Sequence, residues 1–324
     1  MSSWQSRLVA AYIRIIIRRR KWGEDDDALA RRARRHFGTP RLFQWFSTRG
    51  LRISPVCEPG VKGEWVEPKN PSQEVILYIH GGGYVACSPA THRPITAALS
   101  RLSKNRVFSL DYRLAPEHRF PAALDDAVRA YEWLRKQGVP VNALSLAGDS
   151  AGGGLVLGTL LRLRDEARAS GDNQKLAAAA VCFSPWADLA GLGSCEYESC
   201  AMFFKENISD FSKACLGDLS PLDPKALYGS PALIEDLSGL PPLLLQVGSK
   251  ELLRDDACRV DKKIKQAGGV CILDDSCDSF HCWQMLYGLV PEARASLSQA
   301  AAFIRNPSSS RASCDEAAIR ERAS

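Results

Sequence analysis

Residues 144–154, "LSLAGDSAGGG", set one serine, Ser150, among glycines directly behind a short apolar run. Glycines in such a loop either let backbone N–H groups surround a phosphate or make room for a sharp turn that exposes a nucleophile. A phosphate loop requires a lysine after its glycines, and a dinucleotide loop requires G-x-G-x-x-G with a later acid. The pentapeptide GDSAG fits neither pattern and matches G-x-S-x-G. Since it follows a strand-like run and precedes a helix-like one, it predicts a nucleophilic serine on a strand–turn–helix elbow.

A second glycine run, "HGGGY" at residues 80–84, lies upstream, again at the end of an apolar run. Attack by a serine on a carbonyl carbon produces a tetrahedral intermediate with a negative oxygen, which preorganised N–H groups stabilise. Gly82 and Gly83 have no side chains to keep a substrate away from their backbone N–H groups, and Ala151 directly follows the serine. We therefore expect the N–H groups of Gly82, Gly83 and Ala151 to form an oxyanion hole.

Strand-like and helix-like segments alternate along most of the chain. Six apolar runs predict strands, at residues 74–79, 106–112, 143–148, 178–185, 241–249 and 270–275. Helical periodicity predicts helices at residues 122–136, 155–168, 255–268 and 291–304. Residues 46–72 carry several prolines and glycines and predict no regular structure. Such alternation is typical of an α/β protein with a mostly parallel, doubly wound sheet.

The stretch 187–228 interrupts this alternation. It is long and offers no core strand, so it predicts an insertion over one end of the sheet, of the kind that often acts as a lid. We expect it to form a helical cap together with the N-terminal helices. The predicted division is N-terminal cap helices at 1–45, a catalytic core at 46–187 and 229–305, a cap insertion at 188–228, and a disordered tail at 306–324.

Positive charge is concentrated at the start of the chain. The whole sequence has a formal charge of +5, yet residues 1–50 hold 12 Arg or Lys against 4 acids. As a helix, the first segment would present one apolar side, formed by Trp4, Leu8, Tyr12 and Ile15. Its apolar run is about half the ~20 residues that span a bilayer. We expect docked cap helices, no stable membrane insertion and no nucleic-acid partner, with association with a membrane surface as the main alternative.

The cysteines and histidines form no metal-binding pattern. Eleven cysteines contain no C-x-x-C pair, and the five histidines are scattered, so no zinc site is expected. An odd number of cysteines without a secretory signal peptide favours reduced thiols and a cytoplasmic location. We expect neither a metal nor a cofactor.

Three motifs in this order identify a family: "HGGGY", "DYRLAPEHRFPAALDDA" at 111–127, and "GDSAGGG". From about residue 60 to 305 the sequence resembles the hormone-sensitive-lipase-like esterases (bacterial family IV), a branch of the α/β-hydrolase fold. The resemblance implies hydrolysis of carboxylic esters, usually of short to medium acyl chain, without a cofactor. It also implies a small-molecule ester as substrate, a cap made from the N-terminal helices and the insertion, and a chain able to form a homodimer.

A serine nucleophile needs a base, and the base needs an acid to orient it. His281 is the one histidine after Ser150 in the sequence, and the chain order in this fold is serine, acid, histidine. The loop "VGSKELLRDDA" offers Glu251, Asp255 and Asp256 as the acid. Aligned with the family pattern D-x-L-x-D-E, Glu251 takes the position where most relatives have Asp. The two aspartates would then lie at the start of the next helix, where carboxylates stabilise the helix dipole.

Other residues near the site are predicted less directly. Tyr84 and Trp186 lie at strand ends and are predicted to line the substrate pocket, with ordinary core packing as the alternative. The resemblance implies an ion pair between Arg113 and Glu117 that braces the oxyanion loop. His92 is expected at the surface or in the cap.

A function of another class is a ligand-binding receptor on the same fold. Plant hormone receptors of this family keep the serine elbow but lack the catalytic histidine, whereas this chain has candidates for all three catalytic positions. That difference favours an enzyme. An amidase or a lactonase would use the same three residues.

Overall fold

A computed structural model describes residues 2–18, 22–23, 25–171, 176–193, 200–275 and 277–307. The predicted tail therefore lies outside the described residues from residue 308 onward, and so does the middle of the predicted cap insertion, 194–199.

An eight-stranded sheet forms the centre of the molecule. Its strands are β1 (Arg52–Glu58), β2 (Val61–Glu67), β3 (Val75–Ile79), β4 (Arg106–Leu110), β5 (Leu144–Asp149), β6 (Ala179–Phe183), β7 (Leu243–Gln246) and β8 (Cys271–Asp274). They lie in the order β1-β2-β4-β3-β5-β6-β7-β8. β2 is antiparallel to both β1 and β4, while all the other neighbours are parallel. The predicted α/β class with a mostly parallel sheet is confirmed.

The prediction that residues 46–72 are irregular is wrong, because they form the β1–β2 hairpin. β1 lies at the edge of the sheet and is largely exposed, so its side chains do not follow an apolar pattern. Pro55 is tolerated in β1 because an edge strand leaves one row of backbone N–H groups without a partner strand. Gly60, with a φ of 78°, makes the tight turn between the two strands.

Helices cover both faces of the sheet. They are α1 (Trp4–Ile13), α2 (Asp26–His36), α3 (Arg41–Ser47), α4 (Arg93–Ser103), α5 (Ala122–Lys136), α6 (Ala151–Ala169), α7 (Lys205–Leu216), α8 (Arg254–Gln266) and α9 (Pro291–Arg305). Successive side chains of β3 point to opposite faces. Leu77 and Ile79 belong to the core shared with α5, α6 and α8, whereas Ile76 and Tyr78 belong to the core shared with α4 and α9. The sheet is therefore doubly wound, as predicted.

The N-terminal helices and α7 pack against one another beside the loops that follow the strands. The ring of Phe37, after α2, stacks on the ring of Phe211 in α7 with centroids 5.8 Å apart. Trp22 contacts the same phenylalanine edge-on at 5.7 Å. Arg34 of α2 donates to the backbone carbonyls of Val85 and Ala115, in the loops after β3 and β4. These contacts fix the helices beside the carboxyl ends of the strands.

Helix α1 packs against the rest of the protein with the face opposite to its apolar side, which the sequence pattern would place inward. Trp4, Leu8, Tyr12 and Ile15 are between 60% and 66% exposed. The buried side of the helix carries Ser6 and Ile13. No helix in the described part of the chain has the length and apolar character needed to cross a membrane.

Candidate active site

Ser150 lies on a sharp turn between β5 and α6. Its φ of 52° is unusual for a residue other than glycine. Its N–H donates to the Phe183 carbonyl at 2.8 Å, and its own carbonyl accepts from Trp186 N–H at 2.9 Å. These two bonds hold the strained conformation, in which the serine side chain stands clear of the strand.

The glycines around Ser150 are required by close backbone contacts. A Cβ atom on Gly152 would lie 2.0 Å from the carbonyl oxygen of Ile79, and one on Gly148 would lie 2.5 Å from that of Gly152. Both distances are shorter than any van der Waals contact, so even alanine would force the backbone apart. The glycine run therefore lets α6 start directly against β3.

The structure joins the side chains of Ser150, His281 and Glu251 in one continuous hydrogen-bonded chain. The serine Oγ is 2.9 Å from His281 Nε2, and His281 Nδ1 is 2.7 Å from Glu251 Oε2. His281 is 6% exposed and Glu251 is 1% exposed. The three residues follow β5, β7 and β8, whose parallel carboxyl ends meet at the same edge of the sheet.

The carboxylate of Glu251 is fixed by two further donors. Its Oε1 accepts from the Gly248 N–H at 2.7 Å and from the Ser184 hydroxyl at 2.8 Å. Ser184 Oγ in turn accepts from the backbone N–H of Cys282 at 3.2 Å. Ser184 thus connects the acid to the residue after His281, a role that sequence reasoning missed.

Asp255 and Asp256 lie in the first turn of α8, as predicted, but their environments differ. Asp255 is partly exposed, and its carboxylate lies 3.8 Å from the Arg259 guanidinium, which is too far for a hydrogen bond. Asp256 is 1% exposed, accepts from Ala187 N–H at 3.1 Å and pairs with Arg259 at 2.9 Å. Burial, followed by the negative charge of Asp188, raises the pKa of Asp256 to about 7. Asp256 therefore links α8 to the loop that follows β6, in addition to lying in the first turn of the helix.

The glycine loop after β3 lies against the serine. Gly82 and Gly83 have φ values of 118° and 63°, which glycine adopts without strain. A Cβ atom on Gly83 would lie 2.6 Å from the ring of Phe211, so the packing of α7 also requires a glycine here. Both glycines line the same cavity as Ser150. Among the hydrogen bonds of the described residues, the N–H groups of Gly82, Gly83 and Ala151 have no protein acceptor.

The serine's neighbour Asp149 anchors this glycine loop. Asp149 Oδ1 accepts from Gly81 N–H at 3.0 Å and from the Tyr78 hydroxyl at 2.5 Å, and its Oδ2 is 3.1 Å from His92 Nε2. Burial would raise the pKa of Asp149, but His92 and the bond from Tyr78 outweigh it and lower the pKa to about 2. His92 is 3% exposed and lies between β3 and α4, so the prediction that it lies at the surface or in the cap is wrong. A buried carboxylate needs polar partners, and His92 and Tyr78 supply them here.

The ion pair expected between Arg113 and Glu117 is not formed. Arg113 instead pairs with Asp126 in α5 at 2.8 Å, and its backbone N–H donates to the same carboxylate. Glu117 pairs with Arg34 of α2 at 2.6 Å, and this pair lowers the pKa of Glu117 to about 2. The two charges therefore act separately, one within the core and one between the core and the N-terminal helices.

A cavity of about 400 Å³ opens over Ser150 and His281. Its walls are mostly apolar and come from the loops after the strands, from the N-terminal helices and from the segment containing α7; they include Ile13, Phe37, Trp186, Phe203, Phe211 and Leu253. Its size and apolar walls fit a small, largely apolar ligand. Within the described ranges, no three His, Cys, Asp or Glu side chains lie close enough together to hold a metal ion.

The two aromatic residues predicted near the substrate have different positions. Trp186 lines the cavity, with its indole N–H bonded to the Asp188 carbonyl at 2.9 Å. Tyr84 is 1% exposed, contacts the Trp186 ring at 5.7 Å and is not among the residues that line the cavity. Phe203 also lines the cavity, with its ring 5.6 Å from the imidazole of His281.

Comparisons with known proteins agree with this architecture. The family profile of the alpha/beta hydrolase fold matches residues 76–285. An acetyl-hydrolase from Streptomyces hygroscopicus is 41% identical over 272 residues, which cover 84% of this chain and 89% of that relative. An esterase from Acinetobacter venetianus is 32% identical over 267 residues, covering 81% and 84% of the two chains.

Solved structures give the same result. A crystal structure of an esterase from the bacterial hormone-sensitive lipase family superposes with a TM-score of 0.78 at 32% identity, covering 94% of this chain and 98% of that one. An esterase/lipase from an uncultured bacterium superposes with a TM-score of 0.80 at 32% identity and the same coverage. The chain therefore belongs to the α/β-hydrolase fold family. Within that family it is a carboxylic ester hydrolase of the hormone-sensitive-lipase-like group.

Proposed function

We propose that this chain is a serine carboxylesterase that hydrolyses short- to medium-chain esters through an acyl-enzyme intermediate on Ser150. The observation that carries the proposal is the continuous hydrogen-bonded line from the Ser150 hydroxyl through His281 to Glu251. His281 Nε2 takes the proton from Ser150 Oγ as that oxygen attacks the ester carbonyl carbon. Glu251 accepts a hydrogen bond from Nδ1–H, which selects the tautomer with a free Nε2 and stabilises the imidazolium.

The negative oxygen of the tetrahedral intermediate then needs donors. We assign this role to the N–H groups of Gly82, Gly83 and Ala151. Their position beside Ser150 and the lack of any protein acceptor among the described residues support the assignment. When the intermediate collapses, the bond to the alcohol oxygen breaks and the imidazolium gives that oxygen its proton. Water, deprotonated by His281, then attacks the carbonyl carbon of the acyl-serine. The bond from that carbon to Ser150 Oγ breaks, the imidazolium returns its proton to Oγ, and the carboxylic acid and free Ser150 are released.

The N-terminal helices and the segment containing α7 act in this proposal as a cap over the substrate. Ile13, Phe37 and Phe211 from these elements line the cavity opposite Ser150. Apolar walls of this kind exclude bulk water and strengthen the electrostatic interactions of the acid–base pair. Trp186, which enters the cavity from the end of β6, is proposed to contact the acyl or the alcohol group.

The catalytic proposal is tested by Ser150→Ala. The variant should keep its melting temperature and lose essentially all hydrolysis of p-nitrophenyl butyrate. A fluorophosphonate probe should add its mass to the wild-type protein at the Ser150 peptide and leave the variant unmodified. Modification at another residue, or undiminished turnover by Ser150→Ala, would show that the nucleophile has been assigned wrongly.

The chain-length proposal has its own test. A cavity of about 400 Å³ lies near the lower end of the range typical of ligand pockets. We expect the highest kcat/KM for acyl chains of about four to eight carbons, because such chains fill an apolar pocket of this size without emerging from it. Initial rates on p-nitrophenyl esters from acetyl to palmitoyl measure the preference. A higher kcat/KM for palmitoyl than for butyryl or hexanoyl esters would contradict the proposal.

A further inference from the structure

Helix α1 turns its large apolar side chains toward solvent. Trp4 and Leu8 are each 66% exposed, Tyr12 is 61% exposed, and Ile15, in the π-helical turn that follows α1, is 60% exposed. A surface helix normally buries its apolar stripe against the core. Here the helix is held by its other side, where the Ser6 hydroxyl is 3.1 Å from that of Ser279. Among the described residues, none of the buried apolar clusters includes a side chain of this outward stripe.

Helix α3 repeats this arrangement. Leu42, Phe43, Trp45 and Phe46 are 63%, 46%, 59% and 50% exposed. The eight exposed side chains on the two helices are here called the apolar rim: Trp4, Leu8, Tyr12, Ile15, Leu42, Phe43, Trp45 and Phe46. Single exposed apolar residues are ordinary, but groups of this size mark a surface that binds something apolar.

Both helices that carry the apolar rim adjoin the catalytic cavity. Tyr12 of α1 and Pro40, the residue before α3, line the same cavity as Ser150 and His281. Leu289, which is 47% exposed, lines it as well. Whatever covers the rim therefore also faces the route by which a substrate reaches the serine.

The charge around the rim indicates what covers it. Residues 1–50 hold 12 basic against 4 acidic residues. Arg7 and Arg14 are exposed and border the stripe on α1, and Arg41 and Arg49 are exposed at the two ends of α3. Apolar side chains bordered by arginines suit the boundary between the acyl chains and the phosphates of an anionic bilayer. A second copy of the chain related by a two-fold axis would place these arginines against one another.

We propose that the apolar rim docks this protein peripherally on anionic phospholipid bilayers, with the mouth of the catalytic cavity facing the lipid. Trp4, Trp45 and Phe46 enter the interfacial region, and the flanking arginines contact lipid phosphates. Docking of this kind needs no membrane-spanning helix. It goes beyond the proposed function, because binding to the bilayer does not depend on turnover.

The test is co-sedimentation of the full chain with vesicles. We expect binding to phosphatidylcholine vesicles that contain phosphatidylglycerol, weaker binding in high salt, and little binding to phosphatidylcholine alone. The double variant Leu8→Ser/Trp45→Ser should bind the anionic vesicles at least about tenfold more weakly, because it removes two large apolar groups from the interface. Leu222→Ser, at a leucine that is 62% exposed but lies outside the rim, should bind like the wild type.

Two controls keep the docking proposal separate from the catalytic one. Ser150→Ala should bind vesicles like the wild type, so a failure of the catalytic assignment leaves this test intact. The double variant should hydrolyse soluble p-nitrophenyl butyrate at the wild-type rate within about twofold, which shows that it folds. Wild-type protein that stays in the supernatant, equal binding of the double variant, or equal binding to neutral and anionic vesicles would overturn the proposal. So would a wild-type dimer that the double variant converts to monomers.

Discussion

Glu251→Gln separates the charge of the proposed catalytic acid from its shape. Among the described residues, three groups form hydrogen bonds with the Glu251 carboxylate, and all three are donors: Gly248 N–H, the Ser184 hydroxyl and His281 Nδ1–H. A glutamine of the same length offers one acceptor oxygen and one donor nitrogen. It can therefore accept from Gly248 and Ser184, or from His281, but not from all three.

Each orientation of the amide has a defined cost. If its oxygen accepts from Gly248 and Ser184, its nitrogen points at His281 Nδ1. The imidazole must then carry its proton on Nε2, which faces Ser150 and can no longer accept the serine proton. If the amide is reversed, its nitrogen meets the Gly248 N–H at 2.7 Å and leaves two donors opposed in a buried site.

The expected loss follows from the wrong tautomer. Neutralising the acid of such a triad lowers kcat by about three to four orders of magnitude, or about 4–5 kcal/mol of transition-state stabilisation. Glu251→Asp keeps the charge but shortens the reach, and we expect a loss of about a hundredfold or less. Asp255→Asn is the matched control, because it neutralises a carboxylate in the same segment whose one ion pair among the described residues is with Arg259, at 3.8 Å. It should change kcat by less than about twofold and stability by about 0.3–1 kcal/mol.

The assay is steady-state hydrolysis of p-nitrophenyl butyrate, with the rate of Ser150→Ala as the background and melting temperatures as the check on folding. Glu251→Gln should fall close to that background with little change in KM. The reasoning fails if Glu251→Gln stays within about tenfold of the wild type. It also fails if Asp255→Asn loses activity while Glu251→Gln keeps it.

Two predictions concern stability. Gly152→Ala should lower the melting temperature strongly, since its Cβ would lie 2.0 Å from a backbone carbonyl, whereas Gly288→Ala, with nothing within 4 Å, should leave it nearly unchanged. Burial and then the neighbouring His92 lower the pKa of His80 to about 4. Below about pH 6.5 the unfolded chain therefore binds a proton at His80 that the folded chain does not bind. As a result, the free energy of unfolding should fall by about 3 kcal/mol as the pH drops from about 6.5 to 4. His80→Asn should remove that part of the loss in chemical unfolding curves, and an unchanged pH dependence would contradict the assignment.

The sequence predicts those parts of the fold that depend on local patterns. Helix α5 has the predicted bounds, 122–136, because its apolar stripe and its last basic residues are both local signals. β1 and β2 escape prediction for different reasons. β1 is an edge strand whose side chains are all exposed or half-buried, and it also contains a proline. β2 lies inside the sheet but mixes charged with apolar residues, and its second partner, β4, is distant in the sequence.

The same distinction applies to the site. Ser150 is predictable from its elbow, and His281 is predictable because it is the one histidine that follows Ser150 in the sequence. The partners that hold these residues are not predictable, since they come from remote segments. His92 meets Asp149 across 57 residues of sequence, and Ser184 meets Glu251 across 67. Nothing in either local sequence specifies such a pair before the sheet has brought the strand ends together.

Helix α1 shows where amphipathic patterns reach their limit. The pattern shows that the helix has an apolar side and a charged side. Polar groups on a third side, however, decide which side packs against the rest of the protein. The Ser3 hydroxyl donates to Glu292 of α9 at 2.8 Å, and Ser6 meets Ser279 beside the loop that carries His281. Hydrogen bonds that are shielded from water are costly to break, and of these two contacts the first is partly buried and the second is buried. They hold Ile13 inward and leave Trp4 in solvent. A helix that needed only to be stable would gain by rotating its tryptophan toward the core. That α1 keeps the opposite orientation beside the mouth of the cavity is the structural reason to seek its binding partner outside the molecule.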